Sequence, residues 1–137
     1  PHQQSQKDTI SQEEINSFLD NSKKQFVEVQ KIWDSGNINN LKTLCTDDLV
    51  SELSKQINEK TNFSEKTSIT ELDASWKGMN TFVNEEGIEV QEVYVLFSGM
   101  VRESGDGVCE EFSEVWTLQR FKSSGDGWLI AGITQQD

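Results

Sequence analysis

The apolar residues of this chain change period once, near Thr67, and that change fixes the order of its elements. Before it, Ile15, Phe18, Leu19, Ser22, Phe26, Val29, Ile32 and Trp33 form a stripe along one helical face. After it, Leu72, Ala74 and Trp76 alternate, as do Val93, Val95 and Phe97, and then Phe112, Trp116 and Leu118. A chain that is helical first and extended second has no βαβ alternation. That order excludes a doubly wound sheet and leaves an α+β domain.

Local signals place the boundaries. Ser11-Gln12-Glu13-Glu14 reads as a capping box, and the first helix should stop at Asp34-Ser35-Gly36, where glycine supplies the left-handed residue. Asn37 is expected to cap a short second helix carrying Ile38, Leu41 and Leu44. Thr46 should cap a third, with Asp47 and Asp48 at its positive end and Leu49, Val50, Leu53 and Ile57 inside. Thr61 to Lys66 is a polar connection. Ile69 is off phase with the strand that follows, and Gly78 and Asn80 predict a bulge or bend.

Asn84 to Gly87 is a turn. In the long strand from Ile88 to Glu103, Ile88 and Val90 take one phase and Val93, Val95, Phe97 and Val101 the other, which predicts a second bulge near Gln91-Glu92. Ser104-Gly105-Asp106-Gly107 and Ser123 to Gly127 are hairpin turns joining strands Val108–Lys122 and Trp128–Gln135. The expected architecture is three N-terminal helices packed on a curved four-stranded antiparallel sheet. Such an arrangement makes a cone with a hollow at its wide end. Residues 1–10 are expected to be a disordered tail and 11–137 one domain.

Charge narrows the partners. The net charge is −12, and it is uneven: residues 1–66 carry 8 Lys/Arg against 11 Asp/Glu, residues 67–137 carry 4 against 13. This excludes a nucleic-acid binder, which needs basic groups to displace counterions, and disfavours docking on anionic lipid. Residues 11–34 carry three Lys against five Asp/Glu, so the first helix is expected to pack on the sheet rather than lie on a membrane.

The chemical inventory is poor in catalytic groups. The only His is His2, in the tail, so a His–Ser or His–Cys relay is not expected. Cys45 and Cys109 stand alone, without company for a metal, and read first as buried or incidental thiols, with a disulfide between them left open by the sequence. No cofactor and no metal are expected. Glu114 stands out, because it shares the phase of Phe112, Trp116 and Leu118 and so points to the apolar face. There it is either a functional acid or anchor in the hollow, or a structural group paired with Arg120 or Arg102. Trp33, Trp76, Phe97, Trp116 and Trp128 are either core or the walls of an apolar pocket, and core is the commoner fate of such spacing. With Glu114 and Arg120 they make up the candidate binding residues. Asp73 and Glu92 have weaker claims.

Several pieces together resemble the Tim44-like domain, a family named for a mitochondrial inner-membrane translocase subunit and also found in bacterial proteins. They are Val95-Leu96-Phe97-Ser98-Gly99 with Val101-Arg102-Glu103, Phe112-Ser113-Glu114-Val115-Trp116-Thr117-Leu118-Gln119-Arg120, and Gly127-Trp128-Leu129-Ile130-Ala131-Gly132-Ile133. Phe26, Val29-Gln30, Trp33-Asp34, Gly36-Asn37 and Leu41 resemble the family's first-helix pattern, and Glu71-Leu72-Asp73-Ala74 its first strand. The resemblance covers roughly residues 12–135.

It implies a cone similar to nuclear transport factor 2 and a non-catalytic binding or scaffold role in a membrane-associated protein, with a lipid or a translocation-related protein as partner. The start, Pro1-His2-Gln3-Gln4, lacks an initiator Met and is read as that of a soluble fragment. The full-length protein is expected to be bacterial and anchored at the inner membrane, and the domain a monomer or weak dimer. The alternative is a small isomerase or hydratase using a buried carboxylate in the cone. A third reading is an adaptor that dimerises through Tyr94, Leu96 and Met100 on the outer sheet face.

Overall fold

The computed structural model describes residues 10–59, 67–103, 108–122 and 127–136. The expected tail with His2, the polar connection before Thr67, the Ser104–Gly107 turn and most of the Ser123–Gly127 turn lie outside these residues.

Helix α1 spans Gln12–Ser35. The Ser11 hydroxyl accepts the Glu14 N–H at 3.1 Å and the Glu14 carboxylate accepts the Ser11 N–H at 3.2 Å, so the capping box closes in both directions. Gly36, at φ 76°, ends the helix by donating its N–H to the Ile32 carbonyl at 2.8 Å. Ser22, Phe26, Val29, Ile32 and Asp34 form the buried face. Ser22 is tolerated there because its hydroxyl donates to the Phe18 carbonyl at 2.9 Å.

The second helix, Ile38–Thr43, is a 3-10 helix, and neither Asn37 nor Thr46 closes a side-chain cap. Six residues are enough for the tighter winding and too few to stabilise an α-helix alone. Helix α2, Asp47–Asn58, buries Leu49, Leu53 and Ile57.

Four strands follow: β1 (Thr67–Val83), β2 (Glu89–Glu103), β3 (Cys109–Phe121) and β4 (Leu129–Gln135). They pair in sequence order, every pair antiparallel. Asn84 organises the β1–β2 turn, its Oδ1 accepting the Glu86 and Ile88 N–H groups at 2.9 and 3.0 Å.

The bulges differ in part from expectation. One lies between Trp76 and Gly78, as the glycine suggested. Another lies between Ile69 and Glu71, which turns Ile69 onto the same face as Leu72 and explains its missed phase. The second bulge predicted near Gln91-Glu92 does not exist: β2 runs in unbroken register with β3 from Val90 to Arg102. Val90 instead occupies the opposite face from Val93, paired with Phe82 on one side and Phe121 on the other, and is 1% exposed. An apolar residue buried on the second face of a sheet looks, in sequence, like a slip in phase. A third bulge, at the β4 position between Ile130 and Gly132, carried no signal of its own.

Gly99 shows why the register holds at the first bulge. A Cβ there would lie 2.0 Å from the Glu71 carbonyl oxygen, so only glycine lets β2 lie beside the bulged β1.

The helices cover one face of the sheet. Phe26, Val29 and Ile32 of α1 and Leu49, Leu53 and Ile57 of α2 share a core with Val93, Val95, Phe97, Trp116, Leu118 and Ile130. Leu44 to Thr46 run along β4: the Thr46 N–H donates to the Ile130 carbonyl at 2.9 Å and the Ile130 N–H to the Leu44 carbonyl at 2.8 Å. This short parallel bridge at Cys45 covers part of an edge strand that would otherwise be open.

Candidate functional site

Strand alternation carries Glu114 and Trp116 to the helix-covered face of β3, and the register of β4 brings Ile133 and Gln135 opposite them. Phe26, Val29, Gln30 and Trp33 approach from α1, Leu53 and Gln56 from α2. Between them lies a cavity of about 190 Å3. Phe26, Val29, Trp33, Leu53, Trp116 and Ile133 make its walls apolar and aromatic on one part, Gln30, Gln56 and Gln135 polar on the rest, and among the described residues Glu114 is the one ionisable group lining it.

Both oxygens of that carboxylate are engaged. The Trp116 indole Nε1 donates to Oε1 at 2.8 Å, and Gln135 Nε2 donates to Oε2 at 2.7 Å. Trp116 is 2% exposed and packs against Phe26 at 5.0 Å and Phe97 at 5.0 Å. Phe97, directly opposite Glu114 on β2, is fully buried behind the cavity. The carboxylate therefore sits on a packed aromatic bed, fixed by one indole and one amide.

Of the two readings of Glu114, pairing with Arg120 or Arg102 is not what the described residues show. Arg120 is six residues further along the same strand, roughly 20 Å away at about 3.3 Å per residue. Its guanidinium donates to Gln91 Oε1 at 3.0 and 2.6 Å and lies 4.8 Å over the Trp128 ring. Arg102 lies towards the other end of the β2–β3 ladder, opposite Cys109.

The aromatic candidates consequently divide into two groups. Trp33, Glu114 and Trp116 line the cavity, with Phe97 behind them. Trp76 and Trp128 meet instead on the edge of Phe18, at 5.6 and 5.1 Å, with Arg120 above Trp128. Next to this second group is a groove of about 280 Å3 lined by Glu14, Ser17, Phe18, Asn21, Ser22 and Trp128. A larger groove of about 390 Å3 runs between α1 and the start of β1, from Val27 and Lys31 to Thr70 and Leu72. Sequence reasoning missed it, because it depends on how α1 lies across the bulge at Thr70.

The polar members of the cavity, Gln30, Gln56 and Gln135, were also missed. Gln30 had a signal, since it lies next to Val29 on the buried side of α1; Gln135 depends on a register that the β4 bulge sets.

The weaker carboxylates lie elsewhere. Asp73 is exposed and faces away from the helices. Glu92, on the same outer face, accepts the Gln119 amide at 2.6 Å and the Tyr94 hydroxyl. That hydrogen bond pushes the Tyr94 phenol above its usual pKa. Cys45 is buried, and burial raises its thiol to about 11; Cys109 is exposed, and both are free thiols. Among the described residues no three His, Cys, Asp or Glu gather where they could hold a metal ion. No described helix is long and apolar enough to cross a membrane.

Comparison with known families matches the Tim44-like domain over residues 14–135. No curated protein matches the chain.

Proposed function

The chain belongs to the Tim44-like domain family, and from that premise we propose that it is a non-catalytic binding domain of a membrane-associated protein, with the cavity beside Glu114 as its ligand site. The observation that carries this reading is the cavity itself, an aromatic and apolar pocket with a single oriented carboxylate. Tim44-like domains belong to protein translocation and membrane-associated scaffolding and are in general not catalytic. The chemistry of the site agrees: one carboxylate already held by two donors, with no second acid or base among the described residues of the cavity wall, is poorly equipped for proton transfer.

The cavity volume limits what it takes. At about 190 Å3 it is below the roughly 300–1,000 Å3 of pockets for drug-sized ligands. A small polar-ended molecule or a lipid headgroup fits; a pair of acyl chains does not. In this reading the helices and curved sheet form the cone of the nuclear transport factor 2-like fold. The full-length protein is anchored at a bacterial inner membrane and the domain acts as a monomer or weak dimer. A translocation-related protein is the second class of partner, and the groove between α1 and β1 is the surface that suits it.

Native mass spectrometry of the 137-residue chain purified in the presence of membrane extract tests the reading. A ligand of defined mass retained on the folded domain is expected. A bare domain under every extract condition contradicts it.

A further inference from the structure

We propose that the ligand of the Glu114 cavity is an alkylammonium, a small organic cation whose charged end meets the carboxylate and whose carbon end lies on the apolar wall. This rests on the ligand-site reading above. Three observations lead to it.

The first is charge. Glu114 faces the cavity, and among the described residues no Lys or Arg lines it. Two neutral donors, the Trp116 indole and the Gln135 amide, orient the carboxylate without cancelling its charge. The net charge of −12 favours cations over anions throughout the surrounding field.

The second is the set of acceptors. An ammonium group has three N–H donors and no acceptor. Glu114, Gln30, Gln56 and Gln135 all reach the cavity, so a carboxylate and amide oxygens are available from β3, β4, α1 and α2. An anionic headgroup would find a carboxylate where it needs a cation.

The third is size and polarity. At roughly 30 Å3 per water-sized group, a cavity of about 190 Å3 holds about six non-hydrogen atoms. Val29, Leu53, Ile133 and Trp33 supply the apolar part of the wall. An unbranched amine of four or so carbons fills such a space, and so does the ethanolamine end of a phospholipid.

The test is a titration of the 137-residue chain with n-butylammonium and, separately, with n-butanol, its neutral counterpart of equal length. The readouts are calorimetry and the indole N–H resonance of Trp116. n-Butylammonium should bind in the millimolar range and move the Trp116 resonance while leaving Trp76 and Trp128 in place. n-Butanol should bind about tenfold more weakly, because its hydroxyl still donates one hydrogen bond but brings no positive charge to the carboxylate. Glu114→Gln keeps an acceptor for the Trp116 indole and should weaken n-butylammonium by about tenfold while weakening n-butanol clearly less.

Phosphatidylethanolamine vesicles that compete with n-butylammonium identify a lipid headgroup as the source. Vesicles that do not compete identify a free amine. Equal binding of the two probes, an unmoved Trp116 resonance, or no binding of n-butylammonium overturns the proposal. A lipid still retained in native mass spectrometry would then leave the ligand-site reading standing with a different ligand.

Discussion

Glu114 and Trp116 project from the same face of β3, and the indole N–H of the second donates at 2.8 Å to the carboxylate of the first. Two residues apart on a strand, they could hardly avoid being neighbours. What matters is that the tryptophan is buried against Phe26 and Phe97 while the carboxylate stays at the cavity. The core thus holds the carboxylate in place.

Removing the carboxylate should therefore affect stability as well as binding. Glu114→Leu leaves the buried Trp116 N–H without its acceptor and frees the Gln135 amide. A loss of about 1–3 kcal/mol is expected from urea denaturation. Glu114→Gln, which keeps an acceptor, should lose clearly less. Equal losses for the two variants would mean that the indole bond is not what matters.

Gly99→Ala should be more damaging than its size suggests. The added methyl meets the Glu71 carbonyl oxygen at 2.0 Å, and that atom is backbone, not a side chain able to turn away. A destabilisation of about 1–3 kcal/mol or more is expected, with the amide signals of Thr70 and Glu71 shifted most. Gly132→Ala, where the nearest atoms lie at 3.8 Å, is the control and should be milder.

The two thiols should behave differently. Cys109 is exposed and should react with a thiol reagent in the native protein, whereas Cys45 should react only on unfolding. Burial lifts the Cys45 thiol from 9.0 to about 11. The native state keeps that proton where the unfolded chain loses it. The stabilisation is complete below pH 9.0 and disappears as the pH rises towards about 11. Denaturation at a series of pH values should show this loss, at most about 3 kcal/mol, and Cys45→Ala should show a smaller one.

Much of the fold was legible because its signals are local. The Ser11–Glu14 box, the Gly36 stop and the Asn84–Gly87 turn each act within a few residues. The inward direction of Glu114 followed from alternation alone. Two-sided burial was not legible: Val90 is apolar because Phe82 and Phe121 flank it on the second face, and sequence shows only that it breaks phase. The site was half legible for a similar reason. Phase says which face a residue takes, not how far along the strand its neighbours lie. Trp33 and Trp116 therefore share a cavity with Glu114, while Trp76 and Trp128 gather around Phe18 and Arg120 lies over Trp128. The partner Gln135 depended on a bulge in β4.

The most direct test of the Glu114 cavity as the ligand site is to fill it. Ile133→Phe adds volume to a wall residue that faces about 190 Å3 of open space. The folded variant, with thermal unfolding close to that of the parent, should lose the ligand that native mass spectrometry finds on the parent chain. A variant that folds and still carries the same ligand at the same occupancy would contradict that assignment of the site.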